Sequence, residues 1–254
     1  MHGINNIGKS VPRKESLDKV TGMAKYTNDY QIPGLLYARM ITSPHAHAKI
    51  KSIEYADSLK SPGVRAVITG KYFPQLIGST ILDRPPIAID KVRYNGEPVA
   101  VVVADSEVEA EKAALLIKIQ YEPLQVVNSP GEALRKDAPL VHENLGQYTI
   151  IDDTLPEANT NIANRTKIRK GDIKKVLDKS EVTVEASFSF PPSDHAAMET
   201  RCVRAEILPD GRVIIYSASQ APFVIKKLIS DFFKIDPGKV IVNVPLVGGA
   251  YGGK

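Results

Sequence analysis

Residues 97–122 read EPVAVVVADSEVEAEKAALLIKIQYE, and this stretch decides the fold. Glu97 to Ala104 is a nearly continuous Val-rich run, the pattern of a strand covered on both faces. Ser106 with Glu109 three residues later is a capping box. Val108, Ala110, Ala113, Ala114, Leu116 and Ile117 then give the helix it opens an apolar stripe. Lys118 to Glu122 is a second strand, stopped by Pro123. Strand, capped helix and strand within about 25 residues make an α/β unit.

Upstream, Leu35 to Ser43, Lys49 to Glu54 and Val64 to Thr69 read as short strands separated by turns rich in Pro, Gly and His. Downstream, from Asn144 to Ala163, Asn, Asp, Thr and Pro dominate and the hydrophobic periodicity fades. This predicts a first domain over residues 1–145, a connector over 146–165 and a second domain over 166–254. In the second, Gly171 to Asp178 suggests a short helix, and the alternation of Val182, Val184, Ala186, Phe188 and Phe190 predicts a half-buried strand. Cys202 to Leu208 and Arg212 to Ser217 flank Pro209-Asp210-Gly211, a hairpin signal. Phe223 to Phe233 has helical spacing, and Lys239 to Pro245 is a last strand running into a glycine-rich loop.

The 254 residues are 43% hydrophobic and 24% charged, a globular composition with ample material for a core. Their longest apolar run, Val99 to Ala104, is too short to cross a bilayer, and the polar stretch Met1 to Ser10 is no secretory leader. These features point to a cytoplasmic protein. The +4 net charge is spread without a block and Trp is absent, which argues against a nucleic-acid surface. One cysteine, Cys202, excludes a disulfide framework or a cysteine-ligated metal site built from this chain alone.

The loop Val247-Gly248-Gly249-Ala250-Tyr251-Gly252-Gly253-Lys254 is the first candidate site, because glycines permit positive φ and close approach of backbone N–H groups to a polar ligand. Gly248 with Gly253-Lys254 satisfies most of a nucleotide-hydrolase phosphate loop, but that motif needs a following Ser or Thr and a helix. Gln220, just past the strand Arg212 to Ser217, stands where α/β proteins bind ligands. His45 and His47 could ligate a metal, yet Pro44 and the flanking alanines favour a turn. His195 and Glu199, four apart after a Pro-rich lead-in, read as packing or hydrogen-bonding groups. Cys202, predicted to lie in a strand, reads as an inert core thiol.

Taken together these segments resemble the molybdenum-binding large subunit of the xanthine dehydrogenase and aldehyde oxidase family, over nearly the whole chain. The matching blocks run in order. Asp18-Lys19-Val20-Thr21-Gly22 comes first, then Ser43-Pro44-His45-Ala46-His47-Ala48-Lys49-Ile50 and Pro62-Gly63-Val64. Val92 with Gly96-Glu97-Pro98-Val99-Ala100 is the most specific, followed by Tyr121-Glu122-Pro123-Leu124 and Leu140-Val141-His142. The resemblance implies an α/β (α+β) fold: a hammerhead-type domain followed by the beginning of a molybdopterin-binding domain.

It further implies that His195 with Met198-Glu199 is an early signature of that second domain. Gln220 aligns with a glutamine near the molybdenum ligand sphere, and Gly248, Gly249, Ala250, Tyr251, Gly252 and Gly253 form the cofactor-facing loop, with Tyr251 in place of the commoner Phe. Family members hydroxylate a carbon next to nitrogen or oxygen, taking the oxygen from water; some relatives oxidise carbon monoxide or reduce an aromatic thioester. The implied cofactor is molybdopterin with molybdenum, as the cytosine dinucleotide, with 2Fe-2S clusters and FAD on partner chains. The family's substrate-facing acidic residue and general-base glutamate lie beyond Lys254. No catalytic residue and no direct metal ligand is therefore expected in this chain, which would be inactive alone. The remainder of the molybdenum subunit, a 2Fe-2S subunit and an FAD subunit are the expected partners. The rival readings are a non-catalytic docking module or truncated fragment and, remotely, a phosphate-loop protein.

Overall fold

A computed structural model describes residues 7–254. Residues 1–6, on which part of the leader reading rests, lie outside the described residues. No described helix is long and apolar enough to cross a membrane.

The chain divides into two compact units, Gly34–Ala186 and the residues up to Pro33 together with Ser187–Lys254. The first unit carries β1 (Tyr37–Thr42), β2 (Ala48–Glu54), β3 (Val64–Thr69), β4 (Ile81–Leu82), β5 (Lys91–Val92), β6 (Pro98–Ala104), β7 (Lys118–Pro123) and β8 (Thr149–Ile150). β6 is the centre of a three-stranded sheet in the order β1-β6-β3, antiparallel on both sides. Its Val99, Ala100, Val102 and Ala104 are fully buried, as the Val-rich run predicts. β2 is the centre of a second antiparallel sheet, β5-β2-β7, and β4 pairs with β8.

The helix Glu107–Ala114 comes after β6. Glu109 N–H donates to Ser106 Oγ at 3.3 Å, while the Ser106 hydroxyl donates to Glu109 Oε2 at 2.8 Å. The reciprocal partner is thus the serine's own hydroxyl rather than its backbone N–H. Ala110 and Ala113 are fully buried, and Ala113 closes a core with Val67 and Val102. The next strand, β7, joins the other sheet. The strand–helix–strand signal of residues 97–122 therefore links two antiparallel sheets instead of forming one parallel crossover.

The second unit holds β9 (Val203–Ile207), β10 (Val213–Ser217), the helix Pro222–Phe233 and β11 (Val240–Asn243). β9 and β10 form the predicted hairpin; Gly211 adopts φ +80° and Leu208 N–H donates to the Arg212 carbonyl at 2.8 Å. β10 and β11 are parallel, with the helix as their crossover, so the true parallel unit lies here. Lys234, in a left-handed conformation at φ +56°, ends the helix.

Three expectations change. The N-terminal segment, predicted within the first domain, packs with the second unit. The Arg204 guanidinium lies 3.9 Å from the centre of the Tyr216 ring and 5.3 Å from that of Tyr30, and Cys202 Sγ is 3.9 Å from Asn28 Oδ1. The segment predicted as a connector is knit into the first unit. Thr149–Ile150 pairs with β4, and the Asn161 side chain accepts from Val141 N–H at 2.9 Å and donates to the Pro139 carbonyl at 3.0 Å. Polar composition there marks side chains that satisfy buried backbone, not a free linker. Finally, Val182 to Phe190 is irregular rather than a strand. No described strand bonds to it, and Val182, Val184, Phe188 and Phe190 stand 79%, 88%, 79% and 84% exposed. Alternation supplies a strand's faces but not its ladder partner.

Candidate functional site

Because β10 and β11 are adjacent and parallel, the segments that leave their C-terminal ends emerge at one edge of the sheet. Gln220 comes after β10 and the loop 248–254 after β11, and Gln220 N–H donates to the Lys254 carbonyl at 3.2 Å. This is the carboxyl edge, where open α/β sheets present loops to ligands.

The loop closes on itself. Gly253 N–H donates to the Ala250 carbonyl at 2.8 Å, across Tyr251 at φ +52° and Gly252 at φ +90°. Positive φ at both central residues is the signature of a type I′ turn, and Tyr251 holds it without the freedom of glycine. Gly249 adopts φ +103°. Among the described residues none accepts from the N–H groups of Gly249, Ala250, Tyr251 or Gly252. Tyr251 is exposed, at 77%.

The irregular segment 195–201 braces the loop. Gly248 N–H donates to Glu199 Oε2 at 2.8 Å, and Glu199 N–H donates back to the Gly248 carbonyl at 3.1 Å. Lys254 Nζ reaches the same Oε2 at 2.8 Å. Arg201 donates to the Gly253 carbonyl at 3.2 Å. A Cβ on Gly248 would stand 2.5 Å from Glu199 Cβ and one on Gly253 2.8 Å from the His195 ring, so both positions require glycine or a displaced neighbour. The loop thus offers a row of unused backbone donors on a fixed support, a fit for the oxygen and nitrogen edge of a polar cofactor.

Every expected site residue, Gln220 and Gly248 to Gly253, lies in this one unit. His195 and Glu199 reach the loop separately, and no hydrogen bond joins them. The bracing roles of Arg201 and Lys254 were not legible from the sequence, since only a lysine ending a glycine run hinted at one of them. His47 is buried, with Nδ1 2.7 Å from the Gln125 carbonyl, and His45 packs edge-on to Tyr121. Among the described residues no three His, Cys, Asp or Glu side chains converge as metal ligands. Burial, then the charge of Glu199, pushes the Cys202 thiol above its ordinary pKa, which disfavours the thiolate.

Two family models match the chain: the aldehyde oxidase and xanthine dehydrogenase a/b hammerhead domain over residues 21–125, and the molybdopterin cofactor-binding domain over residues 154–254. The chain belongs to the xanthine dehydrogenase and aldehyde oxidase family. Within that family it is 30% identical to the xanthine dehydrogenase molybdenum-binding subunit of Escherichia coli O157:H7, over 95% of this chain and 32% of the relative. It is 30% identical to the carbon monoxide dehydrogenase large chain of Afipia carboxidovorans, over 99% of this chain and 32% of that one. Among solved structures, quinoline 2-oxidoreductase from Pseudomonas putida 86 superposes with a TM-score of 0.84 at 32% identity, covering 97% of this chain and 31% of its own. The chain spans about a third of the length of these family members. The glycine loop and Gln220 both fall within the molybdopterin domain match, which displaces the phosphate-loop reading.

Proposed function

We propose that this chain is the N-terminal portion of the molybdenum subunit of a hydroxylase, and that Gln220 with the loop 248–253 is its contribution to the cofactor site. The observation that carries the reading is the juxtaposition of Gln220 and a loop of unused N–H donors at the carboxyl ends of two parallel strands. Bound molybdopterin, as the cytosine dinucleotide, supplies the redox chemistry, for which the chain has no side chains of its own. Gly249 to Gly252 donate to the cofactor's polar edge and fix its orientation. The Gln220 carboxamide donates beside them, and fixed donors of this kind cost no reorganisation during the reaction.

The reaction is oxidation of a purine, another N-heterocycle or an aldehyde at a carbon next to the heteroatom, with water as the oxygen source. Similarity to proteins named xanthine dehydrogenase, nicotine 6-hydroxylase and quinoline 2-oxidoreductase supports a heterocyclic substrate. Electrons leave through 2Fe-2S clusters and FAD on partner chains; the single cysteine of these residues, Cys202, cannot by itself ligate a cluster. The assembly is cytoplasmic.

The test is Gln220→Ala in the complex purified from its native cells. The expected outcome is retained molybdenum with hydroxylation slowed about 10- to 1000-fold, the range for losing one preorganised donor. Full activity in that variant would overturn the assignment of Gln220.

A further inference from the structure

One carboxylate oxygen ties together the two ends of the glycine loop. Glu199 Oε2 accepts from Gly248 N–H and from Lys254 Nζ, both at 2.8 Å, and so closes residues 248–254 into a ring. The pair is enclosed: the Lys254 side chain is 4% exposed and that of Glu199 13%. Glu199 Oε1 is buried and has no hydrogen-bond partner. A buried oxygen without a partner is costly; the return on placing Glu199 here comes from Oε2, whose two contacts fall on the two ends of the loop while the four N–H groups between them stay unbonded.

We infer that Glu199 is a positioning residue, a charge-neutral latch with Lys254 that holds the loop's donors toward the cofactor. The inference rests on the proposed role of the loop. The charges matter as well as the hydrogen bonds. Without Lys254 a bare carboxylate would lie beneath donors meant for an electron-rich cofactor edge; with both present, the donors act on a neutral background. Glutamine at 199 keeps an oxygen acceptor within reach of both donors and discards only the charge. Aspartate keeps the charge but is one methylene too short to meet both.

The experiment compares Glu199→Ala, Glu199→Gln, Glu199→Asp and Lys254→Met in the native complex, reading hydrogen exchange across residues 248–254 and molybdopterin content. Alanine and aspartate are expected to speed exchange of the Gly248 amide by about tenfold or more, the equivalent of one lost hydrogen bond, and to lower cofactor content. Glutamine is expected to restore protection. Lys254→Met is expected to keep the Gly248 amide protected yet lose cofactor. Wild-type exchange in Glu199→Ala would overturn the latch. If that variant does not accumulate, equal exchange in the Gln and Asp variants would overturn it instead. Faster exchange with unchanged cofactor content would leave the latch standing and overturn the cofactor role of the loop.

Discussion

Gln220 N–H donates to the carbonyl oxygen of Lys254 at 3.2 Å, joining the residue beyond β10 to the end of the loop beyond β11. The two stand 34 positions apart in sequence, yet parallel pairing of the strands brings them to one edge. The candidate site arises from this register. Anything that loosens the β10–β11 pairing separates the glutamine from the loop.

The two braced glycines differ in how much room they have. At Gly248 an added Cβ would meet Glu199 Cβ, an atom fixed to the backbone; at Gly253 it would meet the ring of His195, the free end of an exposed side chain. Gly248→Ala should therefore destabilise the protein by about 1–3 kcal/mol, the range for overpacking. Gly253→Ala should cost clearly less, because the imidazole can swing aside. Urea denaturation of the two variants checks this, and equal losses would contradict the assigned neighbours.

A double-mutant cycle isolates the His195 contact. With His195→Ala in place, Gly253→Ala should become nearly neutral, giving a coupling of about 0.5 kcal/mol or more. Strict additivity would mean that the imidazole does not support the loop.

β1, β2, β3, β6, β7 and the hairpin around Gly211 were legible because they carry local signals such as a Val-rich run, a serine-capped helix after it and a Pro-Asp-Gly turn, whereas the two-residue β4 and β5 were not. The illegible parts depended on partners distant in sequence. Val182 to Phe190 has a strand's alternation but no ladder to join. The stretch around Asn161 has a linker's composition, yet its amide satisfies the Val141 and Pro139 backbone. The site divides the same way. Gln220 and the glycines were singled out by their residue types and by the family resemblance, whereas Glu199 and Arg201 act through contacts about 50 positions away, at Gly248 and Gly253, that no local pattern announces.

His142 gives the Gly34–Ala186 unit a pH dependence. Burial, then the positive charge of Arg93, holds its imidazole below the ordinary pKa, and Asp83 only partly opposes this. The folded state thus favours the neutral ring, while the unfolded chain takes up a proton near pH 6.5. The resulting stabilisation is complete above about pH 6.5 and is lost as pH falls from there toward the lower folded-state pKa. Urea midpoints should fall between pH 7.5 and 5.5, and His142→Asn should flatten that slope. An unchanged slope would refute the assignment.

The helix Glu107–Ala114 depends on its cap. Ser106→Ala removes the acceptor for Glu109 N–H and should cost about 1 kcal/mol, with Ser106→Thr close to wild type. Thermal unfolding distinguishes them, and an unaltered midpoint in Ser106→Ala would show the cap to be energetically idle.

Whether this chain supplies part of a molybdopterin site is decided by molybdenum content, measured by mass spectrometry on the complex the chain joins in its native cells. Near-stoichiometric metal is expected, lost when Gly249 is replaced by valine at its φ of +103°. A complex free of molybdenum, or one whose metal content ignores that substitution, would contradict that role.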